Sequence, residues 1–377
     1  MVHTRSSSIL SDDYLQLTPV GKEQDQTVFE RAYPHRLPPF EVAAAFKNEH
    51  RILTYLNGRG APYLHAPELN TRDAKVLLRT QCRIPLTELS PLQLSLCQRL
   101  KIAVSMARAL CAIHERDVLH LALRPATFLF SADFEHAVLL DFCSARHVPK
   151  SITGLTGFRP VMANSHFLAP EQGYQFSHTL DRCTDLYGFG CVLYWLFCGE
   201  TPFHGLTDDN AIGYAQIAQP LMIDIKPGVS EEPDDRIEKI ITALSAVLSA
   251  LLEKEPSNRY QSCPGMLADL QALLAYKSEQ GTFSIRGQDR SDCLYIPQRL
   301  YGRTVETQSL MQAFQRVAKG PSEAFLIAGY SGVGKSALVN EVRLPVLQSN
   351  GVFVTGKFDQ YRGGTPYSAI EQAFSHF

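Results

Sequence analysis

An eight-residue run near the C-terminal end of the sequence constrains the fold more than any other feature. It reads Gly-Tyr-Ser-Gly-Val-Gly-Lys-Ser over residues 329–336. An apolar stretch, Ala324-Phe-Leu-Ile-Ala328, precedes it and predicts a buried strand, and a helical pattern from Lys335 to about Leu347 follows it. A strand, a glycine-rich turn and a helix in this order predict an α/β unit whose turn binds phosphate.

Glycine supplies the chemistry expected of this turn. The backbone at Gly329, Gly332 and Gly334 can wrap closely around an anion, so that N–H groups and the start of the helix point at negative charge. Lys335 is predicted to reach the β- and γ-phosphates of ATP, and the hydroxyl of Ser336 to bind Mg²⁺. The alternative is an ordinary glycine-rich turn between a strand and a helix.

Composition narrows the class of protein. The 377 residues are enough for two domains, and 45% hydrophobic with 20% charged residues is ordinary for a soluble protein. A net charge of −2 gives no reason to expect a nucleic-acid partner. The nine cysteines are scattered, which indicates reduced thiols. With no secretory signal and no apolar run long enough to span a bilayer, we expect a soluble, cytoplasmic protein.

The chain before the phosphate loop divides into a strand-rich and a helix-rich part. Residues 1–12 are polar and are expected to be disordered. Short apolar runs over 14–85 predict strands, interrupted by a helix from Phe40 to Leu56. Further helices are predicted at Leu96–Arg116 and at about 184–199, 236–253 and 264–276. This order favours an α+β domain of two lobes, 13–82 and 83–276, then a linker at 277–298 and the phosphate-loop domain at 299–377.

Five phrases in the first domain follow one another in a characteristic order. They are Val118-Leu-His-Leu-Ala-Leu-Arg-Pro-Ala-Thr-Phe-Leu129, Val138-Leu-Leu-Asp-Phe-Cys143, Phe167-Leu-Ala-Pro-Glu-Gln172, Thr184-Asp-Leu-Tyr-Gly-Phe-Gly190, and Pro202-Phe203 with Arg259 later. The order resembles the catalytic loop, the D-F-G and A-P-E motifs and the central helix of eukaryotic-type protein kinases. The resemblance implies the two-lobed protein kinase-like fold over 14–276.

The catalytic parts of that family are only partly present. The resemblance places Ala122 where the base that accepts the hydroxyl proton stands, and Thr127 where the second magnesium ligand, an Asn, stands. Arg124 replaces the lysine of the catalytic loop. Alanine cannot accept a proton, so we expect a catalytically impaired domain, a pseudokinase. An active serine/threonine kinase with an atypical loop is the alternative.

The other half of the expected nucleotide site is also altered. Arg31 stands in the strand where a lysine is expected, and Glu49 is its predicted helix partner. The segment around Gly21 has one glycine instead of the glycine-rich loop, and the third D-F-G residue is Cys143. Asp141 is retained, and with Arg31 and Glu49 it forms the predicted kinase-like nucleotide site, with Mg²⁺ on Asp141.

Other retained residues are predicted to hold the fold. Glu171 is expected to form a buried ion pair with Arg259, Asp185 to bind the catalytic-loop backbone, and His120 to be a packed core histidine.

The second domain resembles the AAA-type, or signal-transduction, ATPase module. The resemblance rests on Leu300-Tyr-Gly-Arg303, the phosphate loop, Gly356-Lys-Phe-Asp-Gln360 and Pro366-Tyr-Ser-Ala-Ile370. In such modules Gly302 and Arg303 open the nucleotide site on the adenine side. The module follows a kinase-like domain in large bacterial sensor proteins, which implies other signalling proteins or downstream sensory and histidine kinase domains as partners.

A hydrolytic site needs an acid at a strand end, which holds Mg²⁺ and positions water, and it usually needs arginine sensors. After Ser336 we find no strand of four apolar residues that ends in Asp or Glu. Asp359 follows Phe358 in a polar turn and is not assigned the metal role. We therefore expect an incomplete α/β P-loop NTPase domain that binds ATP without turning it over, and a terminal segment that is poorly stable alone.

Three interpretations follow. The first is a signalling protein, or a fragment of one, with a regulatory kinase-like domain and a nucleotide-binding module. The second is an active kinase, which Ala122→Asp would distinguish. The third is an NTPase that uses the kinase-like domain as a scaffold. Hydrolysis of ATP by this chain that is abolished by Lys335→Ala would favour it.

Overall fold

The computed structural model of the protein describes most of the first domain and part of the second. The described residues are 10–11, 16–23, 26–32, 40–59, 65–70, 75–149, 155, 164–173, 179–228, 234–276, 283–290, 302–318, 320, 322–330, 332–342, 345–346, 349, 351, 353–354, 356, 367, 370 and 373. Secondary structure follows the predicted order, with the strands first and the long helices after them.

The first lobe is an antiparallel sheet covered by one helix. Its strands are β1 (Leu10–Ser11), β2 (Gln16–Glu23), β3 (Gln26–Ala32), β4 (His65–Asn70) and β5 (Lys75–Thr80), and its helix is α1 (Phe40–Asn57). The strand order is β1-β2-β3-β5-β4. Apolar side chains of the sheet, such as Phe29 and Leu78, share one core with Phe46 and Leu53 of α1. Burying that face against the helix is what stabilises the small sheet.

Two details of this lobe bear on the sequence interpretation. Leu10 and Ser11 pair with Leu17 and Gln16, although the polar N-terminus is predicted to be disordered. The edge of β2 offers backbone hydrogen-bond partners to this segment, and a polar composition does not predict such pairing. The register of β2 on β3 shifts between Pro19 and Gly21, at the hairpin where a kinase has its glycine-rich loop.

The second lobe is built around long helices. They are α2 (Leu96–His114), α3 (Arg182–Cys198), α4 (Asp209–Ala218), α5 (Asp235–Leu251) and α6 (Cys263–Ala275). Ser95 begins α2 with a capping box, because its hydroxyl accepts from Gln98 N and the Gln98 side chain accepts from Ser95 N. The wide apolar face predicted for α2 is buried, and α2 packs on α6 and α3. Of these five helices, α4 has no sequence prediction.

Short strands at the junction of the lobes position the loops of interest. They are β6 (Ile84–Pro85), β7 (Val118–Leu119), β8 (Phe128–Phe130), β9 (Ala137–Leu139) and β10 (Arg146–His147). The catalytic-loop segment runs from β7 to β8, and Asp141 follows β9. Because β8 and β9 are paired, the two loops lie side by side.

Residues 283–290, which the sequence assigns to the linker, lie against the second lobe. The carboxylate of Asp289 accepts hydrogen bonds from Gln261 N and Ser262 N, at 3.0 and 2.9 Å. Arg286 donates to the carbonyl oxygens of Asn258 and Arg259 at 2.9 and 2.7 Å. This docked segment therefore extends the kinase-like unit beyond α6, and low periodicity in the sequence gives no sign of it.

The second domain is less regular than predicted. Its described helices are α7 (Thr304–Val317) and α8 (Lys335–Asn340). Residues 341–342 form a turn and residues 345–346 are again helical, so the helix expected to reach Leu347 is interrupted. Residues 324–328 are not a buried strand: they have no regular structure, and Leu326 is 93% exposed. A strand of this type needs backbone partners on both sides and cover on both faces. Phe353 and Val354 also have no regular structure. In the described part of the chain, no helix combines the length and apolar character needed to cross a bilayer.

Candidate functional site

The catalytic-loop position of the base carries a methyl group. Ala122 is 4% exposed and lies between Leu121 and Leu123, which are also buried. Leu121 has a positive φ of 63°, and its carbonyl oxygen accepts a hydrogen bond from Gln172 Nε2 at 2.8 Å. The loop is therefore held in a defined shape, but at Ala122 it offers no group that accepts a proton.

Thr127, at the position of the second metal ligand, is turned back on its own loop. Its side-chain oxygen donates to the carbonyl of Arg124 at 2.7 Å and accepts from the N–H of Arg124 at 3.3 Å. The residue is fully buried. The hydroxyl thus closes the turn at Pro125–Thr127 instead of facing the cleft.

Asp141 meets the catalytic loop through an ion pair. It follows β9 with a left-handed backbone, φ 66°, and its Oδ2 accepts a hydrogen bond from Arg124 Nη2 at 2.8 Å. The two side chains are 12% exposed for Arg124 and 5% for Asp141. Charge-assisted bonds between a guanidinium and a carboxylate are among the stronger hydrogen bonds in proteins. The sequence does not predict this pair.

Glu49 is placed in the site as predicted, and it contacts the segment after Asp141. It is fully buried, its Oε1 accepts from Phe142 N at 2.9 Å, and the Cys143 thiol lies 3.7 Å from its Oε2. The backbone of Arg31 pairs with Leu17 and Val76 within the sheet. The Arg31 side chain lies outside the described residues, so the predicted Arg31–Glu49 contact stays a prediction.

Asn48 is a site residue that sequence reasoning missed. Its Nδ2 donates to the carbonyl oxygens of Cys143 and Ala145, at 3.0 and 2.9 Å. The helix α1 is thereby tied to the D-F-G segment at two adjacent positions, Asn48 and Glu49. The polar side chain of Asn48, next to Glu49, is a signal in the sequence. Helical spacing alone does not predict that Asn48 contacts the other lobe.

The predicted scaffold contacts are confirmed. Asp185 accepts from His120 N and Leu121 N at 2.7 Å each, and its Oδ2 lies 2.9 Å from His114 Nε2. His120 Nε2 donates to the carbonyl of Leu140 at 2.8 Å, and its ring packs 5.1 Å from that of Phe142. Burial lowers the pKa of His120, although the nearby Asp185 opposes the shift.

The ion pair between Glu171 and Arg259 is also confirmed. Two parallel bonds of 2.6 and 2.8 Å join the fully buried guanidinium to the carboxylate. Arg259 further donates to the carbonyl oxygens of Cys183 and Lys254, at 3.0 Å each. Burial alone would raise the pKa of Glu171, but the charge of Arg259 and its hydrogen bonds lower it overall. These contacts stabilise the second lobe and are remote from the cleft.

The side chains at both predicted magnesium-ligand positions, Asp141 and Thr127, contact protein groups. Mg²⁺ prefers several oxygen ligands in an octahedron, including one or two carboxylates. Asp141 is committed to Arg124, and the Thr127 hydroxyl to its own loop. Among the residues that the structure describes, no group of three or more His, Cys, Asp or Glu side chains could hold a metal. A magnesium ion at Asp141 would compete with Arg124 for the carboxylate, and the magnesium site predicted there stays a prediction.

The phosphate loop has the backbone that its glycines predict. Gly332 and Gly334 have φ of 82° and 89°, a conformation that other residues rarely adopt. A Cβ on Gly329 would lie 3.0 Å from a methyl of Val333. Lys335 Nζ donates to the carbonyl oxygens of Gly329 and Tyr330 at 2.8 Å each.

The side chain of Lys335 thus lies folded over the loop, within reach of a phosphate held there. Ser336 is exposed at the same place, and its hydroxyl is a suitable oxygen ligand for a magnesium ion on a bound nucleotide.

The predicted adenine-side residues are brought to this loop. Arg303 Nη2 donates to the carbonyl of Val333 at 3.4 Å, and Nη1 donates to Glu306 at 2.9 Å. Gly302 has a positive φ of 72° at the turn before α7. Arg303 and the phosphate loop, 30 residues apart, are therefore in contact, and the adenine-side role of Gly302 and Arg303 stays a prediction.

Sheet order, the helix tied to the D-F-G segment and the buried Glu171–Arg259 pair together define the protein kinase-like fold. Residues 84–269 match the protein kinase domain family, and residues 299–377 match the AAA ATPase domain family. The chain therefore contains a protein kinase domain followed by AAA ATPase sequence, as the motifs predict.

Similar curated proteins are signalling proteins. The hybrid signal transduction histidine kinase G of Dictyostelium discoideum is 30% identical over 237 residues, which are 56% of this chain and 6% of that protein. The serine/threonine-protein kinase PknB of Mycobacterium leprae is 33% identical over 198 residues, 52% of this chain and 29% of that protein. A probable serine/threonine-protein kinase of Corynebacterium efficiens is 26% identical over 245 residues, 65% of this chain and 34% of its own length. The chain thus spans at most about a third of these relatives.

Proposed function

We propose that this chain belongs to a signalling protein in which the kinase-like domain is a catalytically impaired, nucleotide-binding regulatory module and the phosphate loop binds ATP with Mg²⁺. The observation that carries the proposal is the buried methyl group of Ala122 at the position of the catalytic base. Loss of a positioned base costs about 10²–10⁴ in rate. The engagement of Thr127 with its own loop adds to that loss, because phosphoryl transfer depends on charge stabilisation by metal ions.

Phosphotransfer measured on purified protein tests the impairment. The whole chain and its Ala122→Asp/Thr127→Asn variant are incubated with radiolabelled ATP and a generic protein substrate, both in a Lys335→Ala background so that the phosphate loop does not consume ATP. We expect no transfer above a no-enzyme control for the chain with Ala122. Substantial transfer that is unchanged by the double substitution would show an active kinase and contradict the proposal.

Nucleotide binding tests the second part. Lys335 contacts the loop that would hold the phosphates, so Lys335→Ala should weaken binding of ATP with Mg²⁺ at this site by at least about tenfold. Lys239→Ala is the matched control, because Lys239 is a lysine of α5 that pairs with Asp235. Steady hydrolysis of ATP by the chain, abolished by Lys335→Ala, would favour the NTPase interpretation instead.

The proposed partners are further signalling domains, such as sensory and histidine kinase domains. Support comes from the order of the two domains and from the Dictyostelium relative, whose name is that of a hybrid signal transduction histidine kinase. A reducing, cytoplasmic location is part of the proposal, because the eight described cysteines are free and seven of them are buried. Pull-down with the tagged chain and mass spectrometry tests the partners, and recovery of no signalling protein would count against them.

A further inference from the structure

The docked segment, residues 283–290, meets the second lobe in the way that a short bound peptide does. Its residues 286–289 form a turn, in which Asp289 N donates to the carbonyl of Arg286 at 3.2 Å. Before the turn, Phe283 and Ile285 are partly buried against the core of the lobe. The segment thus combines apolar anchors with one arginine and one aspartate that both face the lobe, and peptide recognition commonly uses such a combination.

The carboxylate of Asp289 is bound at the start of α6. Its Oδ1 accepts from the N–H and the hydroxyl of Ser262, at 2.9 and 3.0 Å, and both of its oxygens accept from Gln261 N at 3.0 Å. The side chain is only 2% exposed. Because the N-terminus of a helix favours negative charge, this position selects an acidic side chain.

The guanidinium of Arg286 is bound by carbonyl oxygens of the preceding turn. Its Nη1 and Nη2 donate to Asn258 and Arg259, at 2.9 and 2.7 Å, and its Cζ lies 5.7 Å from the centroid of the Tyr260 ring. The backbone N–H of Arg286 donates to Asp269 Oδ2 at 2.7 Å. Two acceptors and a ring face match the planar fork of an arginine, which a lysine does not reproduce.

Gly265 in α6 makes room for the segment. A Cβ on Gly265 would lie 2.6 Å from Asp289 Cα and 2.9 Å from Asp289 Cβ, so any other residue would collide with the backbone of the segment. Alanine stabilises a helix more than glycine does. The helix therefore gives up stability at the one point where the segment approaches it closely.

The surface that receives the segment is held by contacts of its own. Arg259 forms the buried ion pair with Glu171, and the Ser262 hydroxyl accepts from Gly265 N at 3.2 Å. By contrast, Arg286 has a positive φ of 64°, a conformation that a residue other than glycine keeps only where its surroundings enforce it. The segment therefore has the character of a ligand on a preformed surface.

We propose that residues 258–262 and the first turn of α6 form a recognition site for polypeptide segments in which an arginine precedes an aspartate by three residues. The docked segment is the occupant that this chain supplies, and a partner's segment of the same chemistry binds by replacing it. A tethered segment acts at an effective concentration in the millimolar range, so exchange requires that the chain's own segment is weakened. The inference is independent of nucleotide binding in either domain.

The test uses a fluorescein-labelled peptide with the sequence of residues 283–290. Its anisotropy is followed during titration with the whole chain and with the Arg286→Ala/Asp289→Ala variant, whose own segment no longer competes. We expect saturable binding to the variant and binding at least about tenfold weaker to the parent chain. Equal affinity for the two proteins, or no saturable binding to the variant, would overturn the proposal.

Changes in the peptide and in the site identify the contacts. A peptide with alanine in place of the aspartate should bind at least about tenfold more weakly. In the same double variant, Gly265→Ala should abolish binding, because the new methyl occupies the place of the peptide backbone. Gly213→Ala, in α4, is the matched control and should leave binding unchanged. Equal binding by the Gly265→Ala and Gly213→Ala proteins would place the peptide elsewhere and contradict the proposal.

A second measurement needs no added peptide. In the otherwise unmodified chain, Gly265→Ala should speed amide hydrogen exchange over 283–290, whereas Gly213→Ala should not. Fluorescence of Trp195, the single tryptophan, reports the fold of each variant. Unchanged exchange over 283–290 in a folded Gly265→Ala protein would likewise overturn the inference, while the catalytic impairment proposed from Ala122 would stand.

Discussion

At the scale of single residues, polar side chains buried beneath the cleft act on the backbone. Asp185 receives two main-chain hydrogen bonds from the catalytic loop, and His120 donates to Leu140 just before Asp141. Both side chains are almost fully buried. The residues retained from the kinase pattern therefore include those that shape the loops, whereas Ala122 and Thr127 replace groups that would touch the reactants.

A pH dependence of stability follows from His120. Burial lowers its pKa below the ordinary value of 6.5, so on acidification the unfolded chain takes up a proton that the folded chain does not. The stability that the neutral ring contributes is therefore complete above 6.5 and is lost as the pH falls from there towards the folded pKa. The expected slope is at most about 1.4 kcal/mol per pH unit for one group.

Urea unfolding at a series of pH values, followed by the fluorescence of Trp195, measures this slope. His120→Gln should be less stable than the parent at neutral pH, because the ring packs on Phe142, but its stability should fall less steeply below pH 6.5. His204→Gln, at an exposed position, serves as control. An identical slope in His120→Gln and the parent would contradict the assignment.

At the scale of secondary-structure elements, close packing between α3 and α5 explains one glycine of the kinase-like pattern. A Cβ on Gly190 would lie 2.9 Å from Leu251 Cβ and 3.1 Å from a methyl of Leu252. Gly213 lies in α4, and among the described residues a Cβ there would meet nothing within 4 Å beyond its chain neighbours and the backbone of its own helix. The same substitution should therefore have opposite effects at the two positions.

Gly190→Ala should destabilise the domain by about 1–3 kcal/mol, because the added methyl overpacks the helix interface. Gly213→Ala should be neutral or stabilise by up to about 1 kcal/mol, because alanine has the higher helix propensity. Thermal unfolding followed by circular dichroism at 222 nm checks both. Equal changes in the free energy of unfolding for the two substitutions would show that the close approach of α3 and α5 does not determine the destabilisation by Gly190→Ala.

The docked segment, residues 283–290, provides a second element-scale prediction. Asp289 accepts hydrogen bonds in the turn before α6, and its loss would leave the partly buried N–H groups of Gln261 and Ser262 without that acceptor. Asp289→Ala should cost about 1–3 kcal/mol and should speed amide hydrogen exchange over 283–290. Arg290→Ala, at the exposed neighbouring position, is the control. Unchanged exchange in Asp289→Ala would mean that the contacts do not hold the segment.

At the scale of the whole molecule, the two domains differ in how they bury apolar residues. The kinase-like part has one continuous core that joins α1, the small strands and the long helices. In the second domain three large side chains within six residues are exposed: Phe325 at 48%, Leu326 at 93% and Tyr330 at 91%. Clustered apolar exposure of this kind favours association.

Leu326→Glu should therefore reduce concentration-dependent self-association of the chain, measured by sedimentation velocity. Met222→Glu is the matched control, because Met222 is 82% exposed in the kinase-like domain, away from that cluster. It should leave the sedimentation profile unchanged. A parent chain that sediments as a monomer at all concentrations tested would contradict the prediction.

The sequence by itself determined the order of the strands and long helices, the kinase-like motifs, and the identity of Ala122, because periodicity and motif spacing depend on near neighbours in the chain. The sequence also predicts the contacts of Glu171, Arg259 and Asp185 correctly, because the kinase-like pattern implies the partners of these residues. The tertiary structure decided the rest. Arg124 contacts Asp141, and Asn48 contacts the D-F-G segment. Residues 283–290 bind the turn before α6, and residues 324–328 form no strand. Pairing and docking of this kind depend on which surfaces meet in three dimensions, and local sequence patterns do not encode that.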